Sequence, residues 1–260
     1  MATLVTFHAH PDDEAIICGG TMAKAAEEGH RVVLVSATLG EHGEVPEGFL
    51  GPGETLAERR AVETLEASRI LGVSRVEFLG FVDSGMPGTA QNHAPDSFWR
   101  ADQEEAAHRL AAILAEERAD VLTVYDPNGG YGHPDHIQVH RVGTRAAELA
   151  GTPVVYEATA NRDHMVALMA QAAEAGLDLP GIDPRELGTP GHLVTTTVDV
   201  RPYLELKRRA MAAHASQIAE TSFFLALPPD LFTEVWGQEW FVRRGAPLGT
   251  RETSLFGDGP

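Results

Sequence analysis

The chain is organised around residues 8–14, His-Ala-His-Pro-Asp-Asp-Glu, which directly follow the short apolar run Thr-Leu-Val-Thr-Phe of residues 3–7. This segment carries two imidazoles and three carboxylates, more titratable groups than an ordinary strand end holds. A second His-Pro-Asp sequence occurs within residues 131–136, Tyr-Gly-His-Pro-Asp-His, again after a run that predicts a strand. We interpret the two segments as halves of one metal site.

Around these motifs, strands alternate with helices along the chain. Apolar and β-branched runs predict strands at residues 3–7, 31–37, 75–79, 120–125 and 153–158. Helical spacing predicts helices at residues 14–28, 54–71, 101–118, 137–149, 161–175 and 201–219. This alternation predicts an α/β fold, with a doubly wound, mostly parallel, Rossmann-like sheet and helices on both faces. Ligands of such folds bind beyond the carboxyl ends of the strands, where both motifs fall.

The second half of the chain is less regular. Residues 1–160 are predicted to form a Rossmann-like catalytic core with both motifs, and residues 161–260 to be a C-terminal extension of the same domain that shapes the substrate pocket. A further strand is predicted at residues 192–200, and an aromatic-rich tail at 223–240 is expected to dock on the core. Loops at residues 38–53, 81–99 and 176–191 are expected to set specificity.

A glycine pair, Gly19-Gly20, interrupts the first predicted helix. Glycine is unfavourable in a helix interior, so the sequence leaves two interpretations open. Either the helix begins after the pair, or the glycines permit close backbone packing near the motif.

Composition excludes several classes of function. Lys and Arg total 20 against 38 Asp and Glu, so the formal charge of −18 disfavours binding to nucleic acid or to an anionic membrane surface. The expected partner is a neutral or weakly charged small molecule. The lone cysteine, Cys18, allows neither an intrachain disulfide nor a cysteine-based zinc site and is expected to be buried. Without a signal peptide or a long apolar run, a cytoplasmic location is expected, and a homo-oligomer remains an open alternative.

Three side chains can hold a zinc-like ion and leave one position open for water. His10 and Asp13 share one turn, and His136 supplies the third ligand from the other motif. Zinc fits this ligand set, and Fe²⁺ or manganese fits it too. Asp12 then faces the bound water as a base, and His133 faces the developing oxyanion.

A carboxylate near an imidazole commonly fixes its orientation, and Asp135 is the candidate for His133. The chemistry that these residues predict is metal-assisted hydrolysis of an amide or ester. Simpler roles compete at single positions. Glu14 is expected to favour a helix N-terminus through its charge, His8 to pack at a strand end, and His140 is an alternative ligand on the second motif's helix.

These segments resemble the LmbE-like, or PIG-L, family of zinc-dependent de-N-acetylases. Residues 9–14 match the first family motif and residues 133–136 the second. The resemblance covers about residues 3–220 and is strongest to the mycothiol-pathway branch, to which the following segments are similar: 38–41 (Thr-Leu-Gly-Glu), 83–86 (Asp-Ser-Gly-Met), 125–131 (Tyr-Asp-Pro-Asn-Gly-Gly-Tyr) and 214–217 (His-Ala-Ser-Gln), the last in a late helical segment. Residues 15–18, Ala-Ile-Ile-Cys, depart from that branch, which is more polar there.

The resemblance implies a role for each matched position. The implied metal ligands are His10, Asp13 and His136, and the implied catalytic residues are Asp12 as general base, His133 as acid or electrostatic partner oriented by Asp135, and Tyr131, which stabilises the tetrahedral intermediate. The positions implied to hold sugar or cyclitol hydroxyls are Arg60 and Asp83. Simpler roles stay open for both: Arg60 on a solvated helix face beside Arg59, and Asp83 as a turn residue.

The sequence therefore predicts a metal-dependent hydrolase that removes an N-acyl group from an amino-sugar-like substrate or glycoside. The expected acyl group is acetyl. Two alternatives stay open. One is an amidase that cleaves a larger conjugate, such as a mycothiol S-conjugate. The other is a non-catalytic sugar- or nucleotide-binding module with a structural metal.

Overall fold

A seven-stranded sheet forms the centre of the protein. The computed structural model describes residues 1–174, 183 and 187–257, so the loop predicted at 176–191 lies mostly outside the described residues. The strand order is β3-β2-β1-β4-β5-β7-β6. The strands are β1 (Thr3–His8), β2 (Arg31–Ser36), β3 (Arg75–Phe78), β4 (Val121–Tyr125), β5 (Val154–Thr159), β6 (Thr196–Asp199) and β7 (Gln238–Arg243).

The first five strands are parallel, and their side chains face two separate apolar layers. On β2, Val32 and Leu34 contact one layer while Val33 and Val35 contact the other. A strand that is covered on both faces needs apolar residues at consecutive positions, which explains the nearly continuous run in β2. The five predicted parallel strands are thereby confirmed.

Helices cover both faces of this sheet. Those on the face of Val32 include α2, α3 and α8, and those on the opposite face include α4 and α6. The helices are α1 (Asp13–Ile17), α2 (Gly19–Glu27), α3 (Leu56–Leu71), α4 (Gln103–Glu117), the irregular turn α5 (Gly129–Gly132), α6 (Pro134–Ala150), α7 (Arg162–Glu174), α8 (Leu204–Ala213) and α9 (Pro229–Trp236). Within the described ranges, none of them is long and apolar enough to cross a membrane. The doubly wound α/β prediction is confirmed.

The first predicted helix is broken at Cys18, a fully buried residue. The second piece begins at Gly19, and its packing explains the glycine pair. A Cβ atom on Gly20 would lie 2.4 Å from the Cβ of Val200, far inside van der Waals contact. Of the two interpretations that the sequence allowed, close backbone packing is correct, and the helix includes the pair.

The C-terminal part departs most from prediction. The helix predicted at 201–219 ends at Ala213, and residues 215–217 form a turn, so the 214–217 segment is not helical. The tail contributes α9 and β7, and β7 lies between β5 and β6, antiparallel to both. Two antiparallel strands therefore extend the parallel sheet at one edge.

A buried ion pair joins this C-terminal edge to the helix after the first motif. The carboxylate of Glu239 on β7 accepts hydrogen bonds from the backbone N–H groups of Gly20 (2.9 Å) and Thr21 (2.8 Å). The Lys207 ammonium lies 2.6 Å from the same carboxylate, and the two side chains are 1% and 2% exposed. An anion at a helix N-terminus satisfies unpaired N–H groups and the helix dipole, so Glu239 caps α2 from another part of the chain.

A second ion cluster lies at the opposite end of the strands. Glu117, at the end of α4, accepts hydrogen bonds from Arg31 (3.1 Å) and Arg75 (2.7 Å), which begin β2 and β3. The Arg31 guanidinium, aided by that of Arg75, lowers the pKa of Glu117 to about 2. The cluster fixes the start of two strands to the end of a helix.

Candidate active site

The two His-Pro-Asp motifs meet at the carboxyl edge of the sheet. Because β1 and β4 are parallel neighbours, with Thr6 beside Thr123, the segments that follow them leave the sheet side by side. The ring centroid of His133 lies 4.7 Å from that of His10 and 5.1 Å from that of His136. All three rings are buried. The strand arrangement thus brings together two segments that are more than a hundred residues apart.

The Asp13 carboxylate lies between two of these imidazoles. Its Oδ2 is 3.4 Å from Nδ1 of His10 and 3.4 Å from Nε2 of His136. Nε2 of His136 is buried and, within the described part of the chain, makes no hydrogen bond. A buried polar atom without a hydrogen bond is costly, so this nitrogen, which only approaches Asp13 at 3.4 Å, fits a site that binds a cation. Two imidazole nitrogens and one carboxylate oxygen suit zinc and also Fe²⁺.

Further ligand atoms surround His10. Ring nitrogens of His10, His133 and His136 lie within 4.8 Å of one another. The same holds for a ring nitrogen of His10 and carboxylate oxygens of Asp83 and Asp135, which are also potential metal ligands. Nε2 of His10 is 3.2 Å from Asp135 and 3.4 Å from Asp83. Burial lowers the pKa of His10, but hydrogen bonds to its carboxylate neighbours raise it well above the ordinary value. The site concentrates negative charge, which favours a bound cation.

Asp12 adopts a backbone conformation that is rare for a residue with a side chain. Its φ is 96° and its ψ is −32°, and such strain is often found at functional sites. The side chain is 18% exposed and borders a cavity, and its Oδ2 lies 3.4 Å from the Arg60 guanidinium. Burial raises the pKa of Asp12 to about 6, although the charge of Arg60 opposes this shift. A carboxylate with a pKa near neutrality is suited to accept a proton.

His133 is held by the backbone, not by the expected carboxylate. Its Nδ1 accepts a hydrogen bond of 3.1 Å from the backbone N–H of Asp135, so the neutral ring carries its proton on Nε2. The carboxylate of Asp135 instead contacts His10 and accepts hydrogen bonds from the N–H (2.8 Å) and hydroxyl of Ser84. The expectation that the Asp135 side chain orients His133 is therefore wrong. Burial, with the charges of His10 and His136, lowers the pKa of His133 to about 4.

Tyr131 stands at the mouth of the site. It is 49% exposed, and its ring centroid lies 5.0 Å from that of His136 and 6.1 Å from that of His133. Gly130 and Gly132 on either side both have positive φ, a conformation that glycine adopts without strain. The turn therefore presents a phenol next to the imidazoles.

The two residues expected to bind sugar hydroxyls are both buried. Arg60 on α3 donates to the carbonyl oxygens of Gly40 (2.9 Å) and Pro11, so it does not lie on a solvated helix face. The Asp83 carboxylate accepts hydrogen bonds from the N–H groups of Gly85 (2.7 Å) and His42 (3.2 Å). Both side chains support the loops around the motifs while lying beside Asp12 or His10.

Two further histidines near the motifs, His8 and His140, make contacts outside the expected ligand set. His8 is buried with its Nδ1 3.2 Å from the Tyr125 hydroxyl. His140 hydrogen-bonds to the Tyr125 carbonyl at 3.0 Å and its Nδ1 lies 3.7 Å from the Glu157 carboxylate, so its contacts in the structure are with residues other than the expected ligands. Sequence reasoning missed Tyr125, whose ring stacks on His136 with a centroid separation of 4.3 Å. Its position as the last residue of β4 was the available signal.

A cavity of about 550 Å³ opens beside the motifs. Asp12, Asp13, Tyr131 and His136 line this cavity, and so does the buried Lys207. Much of the remaining wall is apolar and aromatic, and includes Ile16, Ile17, Phe223, Phe224, Trp236 and Trp240. The apolar residues after the first motif and the docked tail thus line the same space.

Residues 5–147 match the family described as GlcNAc-PI de-N-acetylase, PIG-L. A 1D-myo-inositol 2-acetamido-2-deoxy-alpha-D-glucopyranoside deacetylase of Catenulispora acidiphila is 43% identical, over 95% of this chain and 85% of that protein. The enzyme of the same description from Thermobifida fusca is 42% identical, over 97% of this chain and 98% of its own length.

Solved structures share the fold at lower identity. A deacetylase of teicoplanin biosynthesis superposes with a TM-score of 0.62 at 19% identity, covering 95% of this chain and all of the other (100%). N,N'-diacetylchitobiose deacetylase from Pyrococcus horikoshii superposes with a TM-score of 0.56 at 22% identity, covering 93% and 83%. At these identities the likeness supports the fold alone.

Proposed function

This chain belongs to the GlcNAc-PI de-N-acetylase (PIG-L) family, and we propose that it hydrolyses the acetamide of an N-acetylglucosaminyl-inositol to release acetate and the free amine. The substrate follows from the described activity of relatives that are 43% and 42% identical over nearly the whole chain. The observation that carries the chemistry is the convergence of His10, Asp13 and His136 beside a cavity that also contains Asp12.

In this proposal His10, Asp13 and His136 hold one divalent ion, with zinc favoured and Fe²⁺ as the alternative. Such an ion lowers the pKa of a coordinated water toward about 7 and polarises an amide carbonyl. Nε2 of His136, which is buried without a hydrogen bond, and the carboxylates around His10 support this ligand set.

The chain's own residues supply the proton transfers. Asp12 accepts the proton of the attacking water and passes it to the leaving nitrogen as the C–N bond breaks, since its carboxylate borders the cavity next to the ligands. His133 donates from Nε2 to the developing oxyanion, because its Nδ1 already accepts a backbone hydrogen bond. The Tyr131 phenol, whose ring stands next to both imidazoles, provides a second donor to the same oxygen. Asp135 contributes by holding His10 in position.

Asp83 and Arg60 complete the proposal as residues that bind sugar hydroxyls. Asp83 lies against His10, and Arg60 lies against Asp12, so each is close to the reacting groups. Arg60 already donates to two carbonyl oxygens, and a substrate hydroxyl would add to these contacts.

A second candidate activity is cleavage of an amide with a larger acyl group. The apolar and aromatic wall of the cavity favours it, because a sugar presents mainly hydroxyls, whereas ligand pockets with such walls bury apolar groups. Both activities use the same ligands and the same base.

Elemental analysis combined with a substrate panel tests the proposal. The purified protein is assayed for acetate release from N-acetylglucosaminyl-inositol and from simple N-acetylglucosaminides, before and after chelation and after zinc is restored. About one zinc or iron per chain with chelator-sensitive acetate release is the expected result. Faster release of a bulky acyl group than of acetate would favour the second candidate. A wild-type protein that binds no metal even after zinc addition would refute the proposal.

A further inference from the structure

Side chains bind both polar groups of the Pro11–Asp12 peptide unit, which directly precedes the rare backbone conformation of Asp12. Its positive φ directs the side chain toward the cavity while His10 and Asp13, on either side, face each other. Arg60 donates to the carbonyl oxygen of Pro11, the residue before it. An ordinary negative φ at this residue would rotate the Asp12 side chain relative to its neighbours. The conformation is therefore tied to where the carboxylate points.

Glu14 makes the second of these contacts. Its Oε2 accepts a hydrogen bond of 3.0 Å from the backbone N–H of Asp12. Glu14 is 1% exposed, so its carboxylate provides an acceptor inside the protein for an N–H group at the start of α1. The expected role of Glu14, a charge at a helix N-terminus, is thus carried by a specific contact with the residue proposed as base.

His214 holds Glu14 from the other end of the chain. Its Nε2 lies 2.6 Å from Oε1 of Glu14, and it is fully buried. The backbone oxygen of His214 accepts hydrogen bonds from Gln217 (2.9 Å) and Ile218 (2.8 Å), which fixes the turn after α8. A buried carboxylate needs such a partner, because it would otherwise remain uncompensated. Ser216 in the same turn hydrogen-bonds to a different carboxylate, that of Glu63, so a variant at Ser216 can serve as a control for variants at His214.

We propose that Glu14 and His214 are positioning residues that hold Asp12 in the backbone conformation its role as base requires. Glu14 acts on the Asp12 backbone, and His214 acts on Glu14. This inference rests on the proposed function, since it assigns the purpose of the contact to proton acceptance by Asp12. It explains why a turn two hundred residues away reaches the first motif.

Four variants test the assignment: Glu14→Leu, which removes the acceptor at similar volume; Glu14→Gln, which keeps an oxygen acceptor; His214→Phe, which keeps a ring; and Ser216→Ala as the matched control. Ser216 donates its hydroxyl to Glu63 at 2.6 Å, and none of its hydrogen bonds in the described part of the chain involves Glu14. Each variant is measured for kcat, KM, zinc per chain and Tm. The crystal structure of Glu14→Leu gives the φ of Asp12 independently of activity.

We expect kcat of Glu14→Leu to fall about 10- to 100-fold, as for other residues that orient a site, with KM and zinc content nearly unchanged. Glu14→Gln retains most of the kcat, because its amide oxygen still accepts the Asp12 N–H. His214→Phe loses less than Glu14→Leu, and Ser216→Ala lowers Tm without lowering kcat. Asp12 in the Glu14→Leu crystal structure has a negative φ.

Wild-type kcat in Glu14→Leu, or an unchanged positive φ at Asp12, overturns the inference. If Glu14→Leu does not fold, then wild-type kcat in His214→Phe overturns it. A Glu14→Gln variant as impaired as Glu14→Leu also contradicts it, because the lost charge and not the lost acceptor would then be responsible. If the wild-type protein releases no acetate from any substrate, the proposed function fails. The φ of Asp12 in the Glu14→Leu structure then still decides whether Glu14 positions this residue.

Discussion

Breaking the buried pair between Lys207 and Glu239 should destabilise the protein strongly. The Lys207→Met variant keeps the apolar part of the side chain and removes the charge, leaving the Glu239 carboxylate inside the protein. Removing one partner of a buried ion pair typically costs about 3–5 kcal/mol. Glu239 retains its hydrogen bonds from Gly20 and Thr21, and Lys207 borders the cavity, where water can enter. We therefore expect the free energy of unfolding to fall by about 3 kcal/mol, the lower end of this range.

For a chain of this size, that loss corresponds to a fall in Tm of roughly 6–12 °C. Urea titrations at 25 °C, followed by tryptophan fluorescence, measure the free energy of unfolding. Trp236 is a suitable reporter, because the Lys207 ammonium lies 5.3 Å from its ring centroid. Adding Glu239→Gln to Lys207→Met should recover about 1 kcal/mol, since a stranded charge is replaced by a neutral amide.

The matched control is Lys24→Met, which removes a partly exposed lysine of α2 that pairs with Glu28, the residue directly after this helix. Such pairs contribute about 0.2–0.5 kcal/mol, so this variant should unfold almost like the wild type. If Lys207→Met loses less than about 1 kcal/mol, the reasoning is refuted, because the pair would then be hydrated like a surface pair.

Three further predictions concern separate parts of the molecule. Asp12→Asn should lower kcat about 10²- to 10⁴-fold while zinc content stays at the wild-type level, and full activity would remove Asp12 as the base. Gly20→Ala should lower the free energy of unfolding by about 1–3 kcal/mol, because the added Cβ would lie 2.4 Å from Val200. The same loss in a Val200→Gly background would show that this contact is not the cause. Glu117→Gln should lower the free energy of unfolding by about 1–2 kcal/mol at pH 7. This is less than the pKa shift alone would give, because solvent screens the partly exposed side chains of Arg75 (25%) and Arg31 (42%). Since the folded-state pKa of Glu117 is lowered to about 2, its contribution is complete above the unfolded-state value of about 4.5 and is lost as the pH falls toward 2. In urea titrations at pH 7, 4 and 3, the difference in the free energy of unfolding between wild type and variant should shrink as the pH falls. A difference that stays constant would contradict the assignment.

Local sequence patterns predicted the parallel part of the fold and the position of the site. β1, β2 and β4 are apolar runs whose burial on both faces requires that composition, so single segments contain enough information to identify them. The edge strand β3 is only half-buried, and its sequence is correspondingly more polar. The two His-Pro-Asp motifs follow neighbouring strands and could be paired through the rule that parallel strands end at one edge. The resemblance to the PIG-L family, drawn from the same residues, is confirmed by the match over residues 5–147.

Errors arose where a segment's partners lie far away in sequence. The strand β7 was missed because its residues are held by pairing with β5 and β6, and its own sequence is rich in aromatic residues that also suit a docked tail. The last helix was predicted too long, since it ends where His214 turns toward Glu14. The side chain of Asp135 was assigned to His133 on proximity in sequence, whereas Ser84 and His10 bind it.

By itself, the sequence determined the layers of the fold, the family and the residues that gather at the site, because burial and motif spacing are local properties. The tertiary structure alone decided which polar groups pair. Glu14 with His214 and Glu239 with the start of α2 each join positions about 200 residues apart. Hydrophobic periodicity carries no information on such pairs, since a buried charge is satisfied by whichever donor the completed fold brings within hydrogen-bonding distance.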